Sequence, residues 1–215
     1  MRHIFPITFA LLLAAGSAEA NVTLSQTFTT ASPIPDGNPV PTQYAGAFNQ
    51  TGGNSPVLFV TVSLNVSGGY NGDLYAYLVA PNGSTVMLLN QPGSNLFGAA
   101  GNSMNIILAD GTTDHGSIQN PGDGYLTGSY NAAGSLSTFN GSQANGSWSL
   151  FFADMNSGGG TSTLNGWSLN VTVVPEPVLV ALAIFAAMLT AWAGLKWTWE
   201  KAERSRRIEA PAANS

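Results

Sequence analysis

The chain lacks cysteine altogether, and its main body lacks positive charge. Without cysteine it can form neither a disulfide nor a thiolate metal site. Of its six lysines and arginines, one stands at position 2 and five follow residue 195, so residues 21–173 contain none. A domain without cations cannot neutralise phosphates, which excludes nucleic acid as its partner.

The charge that remains in residues 21–173 is acidic. This segment has six aspartates, no glutamate and a single histidine, His115. Because no lysine or arginine is present to pair with them, buried aspartates there need backbone donors, hydroxyl groups or a metal ion.

Helical periodicity is also absent before residue 178, and short alternating segments take its place. Residues 60–66 alternate strictly between apolar and polar side chains, and Leu74 and Leu78 share one face of a second segment. Trp148 and Trp167 each open a further alternating segment. With Asn-Gly, Asp-Gly and Pro-Gly turns between the segments, the pattern predicts an all-β fold, an antiparallel β-sandwich. We expect both tryptophans to face its core.

The N-terminus has the features of a signal peptide. Arg2 precedes an apolar run at residues 4–15, and Ala18 and Ala20 are small residues of the kind that a signal peptidase reads. We therefore expect residues 1–20 to be removed by cleavage before Asn21, and residues 21–173 to form the exported domain.

The C-terminus combines a short motif, an apolar run and a basic tail. Pro175, Glu176 and Pro177 directly precede an uncharged apolar run at residues 178–195. A helix of that length spans roughly 27 Å, close to the thickness of the hydrocarbon core, so we expect a transmembrane helix. Five positive charges against two negative ones at residues 196–207 predict that residues 196–215 form a cytoplasmic tail.

Residues suited to catalysis are scarce. His115 has Asp114 as its sequence neighbour, whereas a catalytic base is normally oriented by a partner from across the fold. No Gly-x-Ser-x-Gly motif occurs. Paired carboxylates for glycoside hydrolysis would have to come from Asp110, Asp114 and Asp123. We expect no catalytic residue and no enzymatic activity.

A calcium site is a better hypothesis. Four aspartates stand at strand ends or turns, where hard cations find carboxylates and backbone carbonyls. They are Asp36, Asp73, Asp110 and Asp154. The alternative is that each is a turn residue whose carboxylate accepts hydrogen bonds from its own backbone.

An ordered series of short motifs resembles the P domain, also called the P/Homo B domain. The series is Ile34-Pro35-Asp36, Gly72-Asp73-Leu74, Ala80-Pro81-Asn82-Gly83-Ser84, Met87-Leu88-Leu89, Ala109-Asp110, Ser135-Leu136-Ser137-Thr138-Phe139, Gly146-Ser147-Trp148-Ser149-Leu150, Asp154 and Thr163-Leu164-Asn165-Gly166-Trp167. The resemblance implies a jelly-roll β-sandwich. Domains of this family usually follow a subtilisin-like protease domain, which they stabilise, and several bind calcium.

Two positions depart from the family pattern. Ser67-Gly68-Gly69-Tyr70 replaces the His-Thr pair that often precedes Gly-Asp-Leu. Gly160-Thr161-Ser162-Thr163 replaces the usual Gly-Asp-Thr-Gly, which removes one aspartate from the set available to a metal ion.

The C-terminal arrangement resembles the PEP-CTERM sorting signal of Gram-negative bacteria that make exopolysaccharide. The resemblance implies processing near Pro175-Glu176-Pro177 by an exosortase-type enzyme, transit through the inner membrane, and delivery to the cell surface or extracellular matrix.

Three functions fit these observations. The first is a non-enzymatic surface or matrix protein, with exopolysaccharide or another surface protein as its neighbour. The second is a carbohydrate- or protein-binding module, in which tyrosines such as Tyr70, Tyr75, Tyr77, Tyr125 and Tyr130 could contact a ligand. The third is an accessory domain acting in trans on a separate subtilisin-like serine protease.

Overall fold

A computed structural model of the protein describes residues 21–48, 55–93, 96–112, 114–174 and 177–208. The predicted signal-cleavage residues Ala18 and Ala20 lie outside the described residues, as do Pro175 and Glu176 of the predicted sorting motif.

The described residues form nine strands and one long helix. The strands are β1 (Val22–Ile34), β2 (Asn38–Phe48), β3 (Val57–Gly68), β4 (Leu74–Val79), β5 (Thr85–Asn90), β6 (Ser103–Ala109), β7 (Leu126–Tyr130), β8 (Gly146–Asp154) and β9 (Ser162–Val173). Helix α1 is Pro177–Ile208, and short 3-10 turns precede β4 at Asn71–Asp73 and β8 at Leu136–Phe139.

The strands pack as two sheets, which confirms the predicted β-sandwich. One sheet has the order β1-β9-β3-β6-β7 and the other the order β2-β8-β4-β5. The prediction that all pairs are antiparallel is wrong at one place, because β6 and β7 are parallel. The connection at residues 110–125 is long enough to return the chain to the end of the sheet where β6 begins, as a parallel pair requires.

Alternation along the strands creates the core between the sheets. In β3 the residues Val60, Val62, Leu64 and Val66 are each no more than 1% exposed, as their spacing predicts. The second sheet contributes Leu74, Ala76 and Leu78 of β4, which are fully buried.

Both tryptophans face this core, as predicted. Trp148 is 0% and Trp167 2% exposed. Phe139 meets Trp148 edge to face with ring centroids 5.1 Å apart, and the indole N–H donates to the Ala144 carbonyl at 2.9 Å. Phe28 stacks on Trp167 at 4.4 Å, but the Trp167 indole N–H is buried without a hydrogen-bond partner.

Helix α1 covers the predicted transmembrane segment, residues 178–195, and continues through the basic residues beyond it. No helix among the described residues is long and apolar enough to cross a membrane, so the predicted span is not supported.

Candidate functional site

Strand register places three of the four predicted calcium ligands at one end of the sandwich. Asn38 at the start of β2 and Leu74 at the start of β4 both pair with Asp154, the last residue of β8. Asp36 lies in the turn before β2, and Asp73 closes the 3-10 turn before β4. We call the end of the sandwich that carries Asp36, Asp73 and Asp154 the acidic end.

Asp154 is the most unusual of these residues. Its side chain is fully buried, and neither carboxylate oxygen has a hydrogen-bond partner. Burial, followed by the negative charges of Asp73 and Asp36, raises its pKa to about 6, and the facing backbone N–H groups of Asn156 and Gly37 only partly offset this rise. Asp154 is therefore a buried carboxylate that lacks a counter-charge.

Asp73 lies beside Asp154 and is only 8% exposed. One of its oxygens accepts a hydrogen bond from the Asn156 side-chain amide at 2.9 Å. Its other oxygen would be 3.0 Å from a Cβ at Gly159, and the Cβ of Tyr70 would be only 2.6 Å from the same position. The loop can therefore approach Asp73 this closely only because residue 159 has no side chain.

A cleft of about 570 Å³ opens on the acidic end. Its lining includes Tyr70, Asp73, Leu96, Phe97, Asn156 and Gly159. Leu96 is 92% and Phe97 74% exposed, which is unusual for large apolar side chains beside carboxylates. We call these two residues the apolar rim.

Asp110 does not belong to this group, because strand register places it at the opposite end of the sandwich, after the last residue of β6. Its carboxylate accepts hydrogen bonds from the Ser135 hydroxyl at 2.7 Å and from the N–H groups of Leu136 and Ser137 at 2.9 and 2.7 Å. Burial opposes its ionisation, but these hydrogen bonds outweigh that effect and lower the pKa of Asp110. Asp110 therefore caps the 3-10 turn Leu136–Phe139, a segment remote in sequence, instead of accepting hydrogen bonds from its own backbone.

His115 and Asp114 lie close together, with 3.7 Å between the His115 Nε2 and an Asp114 oxygen. The imidazole stacks on Tyr130 with ring centroids 4.8 Å apart, and the Asp114 carboxylate accepts the Ser129 N–H at 2.8 Å. Asp123 lies at the acidic end, where it accepts the Ala100 N–H at 2.8 Å. The structure thus separates Asp123 from Asp110 and Asp114, so it cannot form a catalytic pair with either.

The tyrosines considered as ligand contacts have different environments. Tyr130 is buried, Tyr77 stacks on Phe151 with centroids 4.7 Å apart, and Tyr75 meets Tyr77 edge to face at 6.0 Å. Tyr70 lines the cleft and Tyr125 is 61% exposed. These five side chains do not form one binding face.

Three residues of the cleft were not identified from the sequence: Leu96, Phe97 and Asn156. One feature of the sequence could have indicated that Leu96 and Phe97 are exposed. They lie in a Gly- and Asn-rich stretch, where apolar side chains are not expected to be buried. Among the described residues, no three histidine or acidic side chains are grouped closely enough to form a metal centre by themselves.

Two solved structures share a general likeness with this fold. The crystal structure of a serine protease of Aeromonas sobria is 17% identical with a TM-score of 0.47, covering 72% of this chain and 27% of that one. A complex of the Aeromonas sobria serine protease with a chaperone gives 17% identity and a TM-score of 0.47, covering 73% and 28%. The chain thus spans little more than a quarter of the length of these proteins.

Family comparison gives a more specific result. No curated protein matches the chain. The sequence model described as Proprotein convertase P-domain matches residues 57–171, just over half of the chain, from β3 into β9. This segment includes Asp73, Asp110 and Asp154 and leaves out Asp36. The chain therefore belongs to the proprotein convertase P-domain family.

Proposed function

We propose that this protein is a non-catalytic accessory domain that binds and stabilises a separate subtilisin-like serine protease. The observation that carries the proposal is the family match at residues 57–171, since P domains are accessory to proteases of that class. In this reading the sandwich is a binding surface, and the chemistry belongs to its partner.

The contacts of the one histidine in the sandwich support a non-catalytic role. The ring of His115 stacks on Tyr130, and its charged neighbour is Asp114. Neither contact is a serine, threonine or cysteine that a histidine base would activate, and the Tyr130 contact is a stacking of ring faces.

The apolar rim at the acidic end is the surface that we assign to the protease. Leu96 and Phe97 expose apolar area that a partner could bury, and exposed patches of this kind mark interaction sites. Asp36, Asp73 and Asp123 lie at the same end, and residues 21–195 contain no lysine or arginine. Charge complementarity therefore favours a basic surface on the protease.

The test uses the full chain and a subtilisin-like protease from the same organism. We expect the full chain to bind the protease and to lengthen the half-life of its activity on heating. Phe97→Ser should weaken binding about tenfold or more, as expected for the loss of a buried aromatic anchor. The matched control is Phe59→Ser, which changes a 40% exposed phenylalanine on β3 and should leave binding unchanged.

Two results would contradict this assignment. If wild-type chain neither binds the protease nor protects it from heat, the accessory function is wrong. If Phe97→Ser and Phe59→Ser bind equally well, the function stands but the protease contacts a different face.

We also propose that the protein is exported and processed at both termini. The support is in the sequence: small residues at Ala18 and Ala20, and the motif Pro175-Glu176-Pro177, which an exosortase-type enzyme would recognise. Export would place the domain at the cell surface or in the extracellular matrix.

A further inference from the structure

We propose that a shallow groove on the outer face of the five-stranded sheet binds a neutral polysaccharide. The groove has a volume of about 300 Å³ and is lined by residues of β1, β9, β3 and β6, which are neighbours in that sheet. None of its lining residues belongs to the cleft at the acidic end. The inference therefore does not depend on the proposal that the apolar rim binds a protease.

The outer face of this sheet carries hydroxyl and amide groups and no charge. Alternation turns one set of side chains in each strand towards the core, so the intervening residues point outward. In residues 23–29 of β1, 61–67 of β3 and 163–170 of β9, every outward residue except Gly166 is serine, threonine or asparagine. The face can therefore hydrogen-bond a partner but cannot form an ion pair with one.

Gly166 creates the groove in this face. Strand register places it between Thr29 of β1 and Asn65 of β3, both of which have outward side chains. A Cβ at Gly166 would lie only 2.9 Å from the Phe28 carbonyl oxygen, so close packing of β1 against β9 requires glycine there. The missing side chain leaves a depression between the two neighbouring strands.

Four side chains of the groove keep their hydrogen-bonding groups free. No side-chain hydrogen bond within the part of the chain that the structure describes involves Thr27, Ser63, Asn105 or Ser168. Their neighbours on the same face are paired, since the Asn165 amide donates to Asn65 Oδ1 at 2.9 Å and the Asn170 amide to Thr61 Oγ1 at 3.3 Å. The groove therefore offers three hydroxyl groups and one amide to a ligand.

A neutral polysaccharide matches this chemistry. Serine and threonine hydroxyls donate and accept, as does a carboxamide, and sugar hydroxyls need partners of both kinds. Residues 21–195 have no lysine or arginine, and the six aspartates of the domain would repel an anionic polymer. The groove crosses four strands, roughly 14 Å, which suits a chain of linked sugar rings. Ile107, which pairs with Ser63 and is 43% exposed, offers an apolar contact for the C–H groups of a ring.

A protein segment is a poorer occupant of the groove. An extended peptide binds to the free edge of a sheet, whereas β9 and β3 each have a neighbouring strand on both sides. An apolar helix laid on this face would cover free hydroxyl and amide groups without providing hydrogen-bond partners for them.

The first experiment measures migration of the full chain in native gels cast with dextran, mannan or galactan. We expect at least one of these neutral polysaccharides to retard the protein in a concentration-dependent way, which gives a dissociation constant. Alginate, an anionic polysaccharide, should not retard it. Unchanged migration in all the neutral gels would overturn the proposal, and equal retardation by alginate would contradict a site for neutral sugars.

A matched pair of double variants locates the site. Combining Thr27→Ala with Asn105→Ala removes a free hydroxyl and a free amide from the groove and should raise the dissociation constant about tenfold. The control combines Thr85→Ala with Asn90→Ala on β5 of the other sheet and should bind as the wild type does. All four side chains are exposed, so the melting temperatures should not change. Equal binding by the two double variants would show that the polysaccharide binds elsewhere.

A third variant tests the groove by filling it. Ser168→Val places a bulkier apolar side chain beside Ser63 in a central strand, where a β-branched residue is well tolerated. It should weaken polysaccharide binding without lowering the melting temperature. If Ser168→Val instead weakens binding to the protease and leaves polysaccharide binding intact, the face is a protein-docking surface and the polysaccharide assignment is wrong.

Discussion

Asp110 and Asp154 are the same residue type at opposite ends of one sandwich, and their surroundings give them opposite properties. Asp110 accepts three hydrogen bonds of 2.7–2.9 Å, which lower its pKa. Asp154 has no hydrogen-bond partner, and burial raises its pKa to about 6. The first aspartate stabilises the fold as an anion, whereas burial disfavours the ionised form of the second.

Asp110 should therefore make stability depend on acid pH. A carboxyl group whose pKa is lower in the folded state contributes stability above its unfolded pKa of 3.8 and loses it as the pH falls through the folded value. Asp154, with its raised pKa, acts in the opposite direction between about pH 6 and pH 3.8, so the informative quantity is the difference between wild type and Asp110→Asn. We expect the stability advantage of the wild type over Asp110→Asn to shrink from pH 5 towards pH 3 in urea denaturation, and a constant difference would contradict the capping role.

At the scale of the elements, local alternation predicted the strands but not their arrangement. Val60, Val62 and Leu64 are buried as their spacing requires, because which face a residue occupies depends only on its own strand. The parallel pairing of β6 with β7 depends on the path of the long connection between them, and the alternation of apolar and polar residues does not predict that path. The meeting of Asp73 with Asp154 depends on the register of β4 with β8, which residues remote in sequence determine.

Substitution of the two core tryptophans tests how strongly the packing of β8 and β9 stabilises the sandwich. Trp148 donates its indole N–H to the Ala144 carbonyl at 2.9 Å, whereas that of Trp167 is buried without a partner. Each Trp→Ala change should cost roughly 3–5 kcal/mol, from lost burial and a residual cavity.

The corresponding phenylalanine substitutions should separate the two sites. Trp148→Phe leaves the Ala144 carbonyl unsatisfied, a penalty of about 1–3 kcal/mol that adds to the packing loss. Trp167→Phe removes an unsatisfied donor and keeps the ring that stacks on Phe28. In urea denaturation, Trp148→Phe should therefore destabilise the protein more than Trp167→Phe, and the reverse order would show that the hydrogen bond at Trp148 is unimportant.

At the scale of the whole molecule, charge is divided along the chain. Residues 21–173 hold six aspartates and no cation, and five of the six lysines and arginines lie between Lys196 and Arg207. Long domains are exported largely regardless of their charge, so residues 196–207 are the informative part, because basic residues next to a membrane tend to stay inside. Under the export proposed above, the sandwich lies outside the membrane and this basic segment inside.

Processing at the two termini provides the test of export in the native host. Because Ala18 and Ala20 suit signal peptidase, mass spectrometry of the protein recovered outside the cells should show a chain beginning at Asn21. Its C-terminus should lie near Pro175, and Glu176→Ala should leave the unprocessed precursor associated with the cells. The matched control is Glu200→Ala, which removes the same type of charge outside the motif and should be processed normally. A mature chain that still begins at Met1 would refute the signal peptide, and equal processing of the two glutamate variants would refute the sorting motif.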